Sequence, residues 1–366
     1  MKNLSCVGIL VLALLIAMPV GSIFAQSDDK GLEETLGDLA ESAGKLFVAP
    51  VVNGFGVNIN GGWFHKSPKA VRRSFDIEFG IVGMGTFFKD ADETFSVSTS
   101  TTISRETAID YLDENNVTDT AIRNALLEDL LGRNITVTMY GPTAIGSSDN
   151  NIRIVIPSQT IDPGGGLPIQ NLDGQTIELE DVTGLGITET FSFMPTGTPQ
   201  FSFGTLWGTN ATFRFIPSME IDDEIGKISY FGFGIQHNPQ IWFTSVIPID
   251  FCFAFYTQTL KVGDLLESTG TAFGINASKE FSANNFGFTP YAGFMFESFS
   301  MDVNYDYTID NPDGSTSDEN VSFSLDGPNS SRFTIGCAIQ MTLLNLNIDY
   351  NFGKYNSFTA GLMIGF

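Results

Sequence analysis

Positive charge is scarce in this chain of 366 residues: 18 Lys plus Arg stand against 42 Asp plus Glu, a formal net charge of −24. Such a balance argues against a nucleic-acid partner, because no basic patch is available to offset phosphate repulsion. It also argues against a polybasic hold on anionic lipid. Histidine is scarcer still, with His65 and His237 only. His65 falls in the stretch "HKSPKAVRR", read as a surface loop, and His237 falls at a strand end before Pro239. Neither lies in a Ser or Asp motif, so a structural role at a barrel rim is expected and no enzyme activity. A lipid-modifying enzyme built on His237 is the one catalytic alternative.

Cysteine is limited to Cys6, Cys252 and Cys337. Cys6 sits near the start of an apolar N-terminal segment and not at its end, which disfavours a lipoprotein anchor. Strand phase sends Cys252 and Cys337 to opposite faces, so no disulfide is expected between them. Two separated thiols and two histidines leave no His/Cys metal site. The stretch "DNPDGSTSDE" is rich in oxygen ligands, but Pro312 and the glycine register break the order a calcium loop needs. No metal and no cofactor are expected.

Long apolar runs are equally few. Val7–Val20 follows Lys2 and precedes "SIFA-QS", so residues 1–25 read as a signal peptide cleaved after Ala25. That run is too short for a retained membrane helix. The next best, "IWFTSVIPIDFCFAFY", is broken by Pro248 and Asp250. If the exported chain resides in a membrane, it must do so as a closed barrel, since only helices and barrels satisfy their own backbone in hydrocarbon.

What the chain does have is 33 Phe and 38 Gly. Residues 26–50 place Leu32, Leu36, Leu39, Ala43 and Leu46 at helical spacing, with Pro50 as the stop. This amphipathic helix either plugs or covers a barrel end, or lies on the surface. From Asn53 the expected period is 2. In "SFDIEFGIVGMGTF", Phe75, Ile77, Phe79 and Ile81 oppose Asp76, Glu78 and Gly80; "QFSFGTLWGTNATFRFIP" reads as one similar strand. "DFCFAFYTQT", "RFTIGCAIQM" and "LNLNIDYNF" repeat the theme. One face carries Phe, Ile and Leu; the other carries Asn, Gly, Ser, Thr and Gln. A soluble sandwich would show Lys and Glu on its polar face, whereas small uncharged groups suit a wet lumen. One irregularity is expected, a bulge at Glu297–Phe299 that lets Met301 and Val303 continue the outward phase.

The fold class that follows is all-β: a transmembrane antiparallel barrel of about twelve strands (range about ten to fourteen) over residues 51–366, with a short N-terminal helix. Residues 89–199 form a partly helical insertion, expected to supply a plug or a large loop packed on the barrel, with helices at "ETAIDYLDENN" and "TDTAIRNALLEDLLG" and strand signals at "ITVTMYG", "IRIVIP" and "TIELEDV". The acidic stretches "MEIDDE", "KVGDLLEST" and "DNPDGSTSDE" should share one end of the barrel, and short turns the other.

Three stretches, "APVVNGFGVNINGGWF", "GTNATFRFIP" and "GFGIQHNPQIWFTSVIPIDF", resemble an uncharacterised family of predicted bacterial outer-membrane barrels of Bacteroidetes type. The architecture is distantly similar to long-chain fatty-acid transporter barrels. The alternating end Phe358, Leu362, Ile364 and Phe366 resembles the signal read by the barrel-assembly machinery. These resemblances imply an outer-membrane location, with outer-membrane lipid and that machinery as partners. The expected function is a channel or transporter for a small solute, hydrophobic ones included; the alternative is a non-conducting barrel with a filled lumen, used for structure or surface interaction. Asp76, Glu78, Arg214, Gln236 and Asp250 point inward by parity. They either pair across a filled barrel or line a solute path, and both readings require neighbours.

Overall fold

The structure is a computed structural model that describes residues 30–102, 105–131, 133–162, 169–222, 226–243, 247–283, 286–310 and 316–365. The predicted signal segment and Phe366 lie outside the described residues. The described chain divides into two compact units, one holding residues 51–88 and 191–365, the other 30–50 and 89–190. No described helix is long and apolar enough to cross a membrane, which says nothing of strands.

Helix α1 (Lys30–Asn60) contributes residues to both units and continues past Pro50. The expectations of a helix stop at Pro50 and of strand alternation from Asn53 are therefore corrected. Proline in a helix interior costs about 3 kcal/mol. Here Val51, Val52, Phe55, Val57 and Ile59 beyond it are all buried, and each such side chain returns roughly 1.5–3 kcal/mol. Strand β1 (Arg73–Phe87) follows, the single described strand before Lys89.

The second unit contains β2 (Thr94–Thr102), α2 (Arg105–Glu114), α3 (Thr120–Leu131), β3 (Asn134–Pro142), β4 (Asn151–Ile156), β5 (Gln159–Ile161), β6 (Gln170–Leu172) and β7 (Gln175–Thr183). An antiparallel sheet of order β2-β3-β4-β7 buries Val137, Met139, Ile152 and Ile154. Leu126, Leu127 and Leu130 of α3 pack with Ala108 and Leu112 of α2 over Ile161 and Leu172.

The first unit continues with β8 (Phe193–Leu206), β9 (Thr209–Asp222), β10 (Gly226–His237), β11 (Asp250–Val262), β12 (Leu266–Ser278), β13 (Phe281–Ala283), β14 (Phe286–Asp310), β15 (Thr316–Asp326), β16 (Ser331–Met341), β17 (Leu344–Phe352) and β18 (Ser357–Gly365). Every pairing is antiparallel. The order β1-β8-β9-β10-β11-β12-β14-β16-β17-β18 closes on β1, giving a barrel of ten strands, with β13 and β15 paired to β14 outside the ring.

Three details differ from the sequence reading. "QFSFGTLWGTNATFRFIP" is a hairpin, because Trp207 (φ 50) and Gly208 (φ 69) form a two-residue left-handed turn between Leu206 and Thr209. The familiar Asn-Gly signal is hidden there by a tryptophan that also keeps the apolar phase. Strand β8 begins at Phe193, inside the stretch 89–199 read as insertion. Its Pro195 and Pro199 lie where β8 pairs with β1 alone, a position that tolerates residues without an N–H. Finally, β14 pairs with β12 in unbroken register from Tyr291 to Val303, with no bulge at Glu297. Phe299, Met301 and Val303 therefore face inward and are buried.

The start of β1 and the end of β18 lie at one end of the barrel, together with the short turns Trp207–Gly208 and Thr342–Leu343. The described residues of the three acidic stretches lie at strand ends and in the Gly263–Leu265 turn at the opposite end, where the chain also leaves after Phe87 and returns at Phe193.

Exposure inverts the usual order of a water-soluble protein. Phe79, Ile81, Phe231, Phe253, Phe273, Ile275, Phe296, Ile335, Ile348 and Leu362 are each half or more exposed. The opposite parity, including Gln200, Thr212, Gln258, Asn276, Thr334 and Thr359, is buried. The rings do not meet in a dry core between sheets; they form the outer wall.

Candidate functional site: the occupied lumen

The interior of the barrel is filled by residues 51–70 of the same chain. The last turns of α1 enter beside Met194, where the Asn58 amide donates to the Met194 carbonyl (2.6 Å) and to Thr196 Oγ1 (2.8 Å), while Thr86 Oγ1 donates to Asn58 Oδ1 (2.7 Å). Asn60 then donates to the Ser298 carbonyl (3.1 Å) and accepts from Gln258 Nε2 (2.8 Å). Gly62 turns the chain with φ 66, and a Cβ there would meet Val82 and Thr359 side chains at 2.6 and 2.7 Å. Trp63 and Phe64 follow, both buried; Trp63 stacks on Tyr256 with centroids 5.0 Å apart, and Phe64 meets Tyr291 edge-on at 5.9 Å.

The glycines of the wall explain how two aromatic rings fit. A Cβ at Gly232 would lie 2.8 Å from the Trp63 ring, and one at Gly293 would lie 2.5 Å from the Phe64 ring. The small inward residues noted in the sequence are thus spaces cut for the plug as much as lining for water.

Two buried arginines clamp the segment. Arg214 is fully buried and donates to Gln200 Oε1 (3.0 Å), to the Ile59 carbonyl (3.0 Å) and to the Gly61 carbonyl (2.8 Å), with its guanidinium 4.0 Å over the Trp63 ring. Arg332 donates to the Asn60 carbonyl (2.7 Å) and lies 3.2 Å from Glu297, at ion-pair distance. The Ile59 and Asn60 carbonyls close the last turn of α1 and the Gly61 carbonyl follows it; such carbonyls have no partner within the helix, and Trp63 Nε1 also donates to that of Ile59 (3.2 Å).

Toward the end that holds the start of β1, the plug becomes charged. Glu78 is buried and meets His65 Nε2 (3.0 Å), Lys66 Nζ (3.0 Å) and Asn345 Nδ2 (3.2 Å). Lys66 also reaches Asp76 at 2.7 Å. The sequence reading of His65 as a surface-loop residue is corrected: it is buried because its loop is threaded through the lumen. Gln236 lies within 3.4 Å of both Asn276 Oδ1 and the Lys66 carbonyl. Asp250 accepts from Asn238 Nδ2 at 3.3 Å. Asp76, Glu78, Arg214, Gln236 and Asp250 thus all face inward, and each contacts the plug or a group beside it. Outside the strands, the Lys69 ammonium, 2.7 Å from Glu280, donates to that carboxylate and holds it below its ordinary range.

A polar recess of about 250 Å3 opens at this end between Lys66, Lys69, Asp76, Asp250 and Glu280. Asn210 Oδ1 and Asn345 Oδ1, which border it, are buried without a protein partner. His237 lies apart from this recess's lining; its ring nitrogens meet Thr209 Oγ1 (2.9 Å) and Trp242 Nε1 (3.2 Å), neither of them an acid or base. Of the other singled-out residues, Phe358 packs edge-on against Phe193 (5.0 Å), and Leu362 and Ile364 lie exposed on the outer face of β18.

Trp63, Asn58, Asn60, Arg332 and Glu297 were not singled out from the sequence. The signal available was "NINGGWFHK", whose paired glycines before two aromatics and two basic groups fit neither a strand nor a surface helix.

No curated protein matches the sequence. Among solved structures, the chain is similar to LpxR from Salmonella typhimurium, at 6% identity and a TM-score of 0.30 over 78% of this chain and 99% of that one. It is also similar to a loop L8 deletion mutant of OmpT, an outer membrane protein of Vibrio cholerae, at 10% identity and a TM-score of 0.22 over 80% and 99%. A third is Ail, the attachment invasion locus protein of Yersinia pestis, at 9% identity and a TM-score of 0.19 over 43% and 93%. The profile of one protein family matches residues 1–366 from end to end, and the chain belongs to that family of unknown function, DUF6588.

Proposed function

We propose that the protein is an outer-membrane β-barrel kept closed by its own chain, a non-conducting anchor for the second unit, residues 30–50 and 89–190. The observation that carries this reading is the fit of Trp63 between Arg214 and Tyr256, with Gly232 and Gly234 on the wall behind it. The outward Phe and Ile band supports the membrane location, because lipid is the solvent in which such a surface is stable. Planar-bilayer recording tests the closed state. The intact protein gives no steady single-channel steps, and Trp63→Ala combined with Arg214→Ala, which loosens the plug, gives steps or flicker. Steady conductance of the intact protein at ordinary voltage overturns the proposal.

A second reading, uptake of a small polar solute, is favoured by the recess beside Lys66 and Asp250 with its two unpartnered amide oxygens. It requires the plug to move. A disulfide locking the plug to the wall would abolish uptake in that case, and would change nothing in an anchor.

A further inference from the structure

The outer wall of the barrel is not uniformly bulky. Most adjoining outward pairs are large, such as Phe273 with Phe296, Phe294 with Phe333, and Phe333 with Phe352. The pattern fails across β1, β8 and β18, where Gly83 adjoins Gly197 and Ala360, and again at a second place that has a cation beside it. Ala277 partners Ala292, and Pro290 partners Cys337, so four small outward side chains adjoin across β12, β14 and β16. They floor a groove of about 760 Å3, walled by Phe288, Ile335, Ile348, Tyr350 and Phe358. Nearly all of its lining is hydrocarbon.

The groove has one charged end. Pairing of β12 with β14 stops at Ser278 and Tyr291, and β13 resumes only at Phe281 opposite Phe288. In the gap, the Lys279 N–H donates to the Pro290 carbonyl (3.2 Å), and Lys279 borders the groove. Its ammonium lies 5.3 Å from the Phe281 ring centre and pairs with no described carboxylate; the adjacent Glu280 is taken by Lys69. An unpaired cation at the mouth of an apolar channel, on a chain with a net charge of −24, is a local exception to the acidic whole.

We infer that this groove binds one phospholipid, an acyl chain lying along Ala277, Ala292 and Cys337 and its phosphate meeting Lys279. The inference rests on the membrane reading above. Inside a bilayer, burying a chain against protein gains nothing from water, so a retained lipid must be selected by shape and charge. The small-residue floor supplies close packing over the whole chain. The Lys279 ammonium supplies the attraction for a phosphate that a neutral detergent cannot answer.

The full chain, reconstituted in nanodiscs of phosphatidylethanolamine and phosphatidylglycerol, then extracted in neutral detergent, tests this by native mass spectrometry. One phospholipid per chain is expected to remain. Lys279→Gln should lower its occupancy several-fold, and Ala292→Phe with Cys337→Phe should lower it tenfold or more, while Phe273→Ala on the same wall leaves it unchanged. The native thiol gives a readout without substitution: added phosphatidylglycerol should slow alkylation of Cys337 several-fold. Equal retention in the groove variants, or a chain that enters nanodiscs yet keeps no lipid, overturns the inference. A chain that fails to enter nanodiscs overturns the membrane reading itself, and the groove with it.

Discussion

Arg214 sets its guanidinium 4.0 Å from the centre of the Trp63 ring while donating to the carbonyls of Ile59 and Gly61. One wall residue thus reads both the side chain and the backbone of the plug. Trp63→Ala should cost about 3–5 kcal/mol of stability, since the ring is buried and leaves a cavity between rigid strands. Arg214→Lys should be nearly as damaging as Arg214→Met, because an ammonium cannot span two carbonyls and an amide. Urea unfolding in detergent micelles checks both.

Glu297 and Arg332 form a second buried pair, 3.2 Å apart. Removing Arg332 alone strands a carboxylate in the lumen and should cost about 3–5 kcal/mol. Replacing both with Leu and Gln should recover most of that loss. A double variant no more stable than Arg332→Ala would mean that the contact to the Asn60 carbonyl, and not the charge pair, dominates.

Cys252 is fully buried, with its thiol 3.0 Å from Asn276 Oδ1, whereas Cys337 faces outward. Maleimide should therefore label Cys337 in detergent and leave Cys252 untouched until the barrel unfolds. No oxidant should join the two in the folded protein. Mass shifts after timed labelling give the answer.

Phe273 pairs with Phe255 and with Phe296 on the outer wall. Phe273→Lys should destabilise the inserted barrel by about 2–4 kcal/mol if the site is near mid-bilayer, while the same change at an inward position would meet the plug instead. Equilibrium folding into vesicles measures the difference. Little effect from Phe273→Lys would argue for water, not lipid, at that face.

The Lys69–Glu280 pair lies outside the strands, and its carboxylate titrates below the ordinary range. A depressed folded value means the pair stabilises the protein above the unfolded carboxylate range and loses that contribution as pH falls through the folded value. The gain is small, because both side chains are partly exposed. Lys69→Met should erase this part of the acid dependence of thermal unfolding and leave the neutral-pH spectrum unchanged.

The wall is readable where apolar-out alternation survives, as with Phe79 against Glu78 and Ile348 against Asn347. The plug is not. A helix that buries itself inside a barrel needs no clean polar face, so Val51, Val52, Phe55 and Val57 gave no amphipathic stripe, and Pro50 looked like an end. The inward Phe299, Met301 and Val303 misled for the same reason. All three face inward, Phe299 against Phe55 and Gly56 of the plug, so an apolar lumen patch imitated a change of phase. Inward orientation of Arg214 follows from parity alone; its partners, 153 and 155 residues away along the chain, follow only from the fold.

Residues 51–70 are synthesised before any strand of the wall, and they run through the cylinder from one mouth to the other before β1 begins. Fitting them afterwards would mean drawing everything upstream of the first strand through a finished tube. The simpler sequence of events has the staves assembled around a mandrel that is already in place, with the seam between β1 and β18 sealed last. Mutations that weaken the mandrel would then show first as slow or misregistered closure, ahead of any leak through the completed wall.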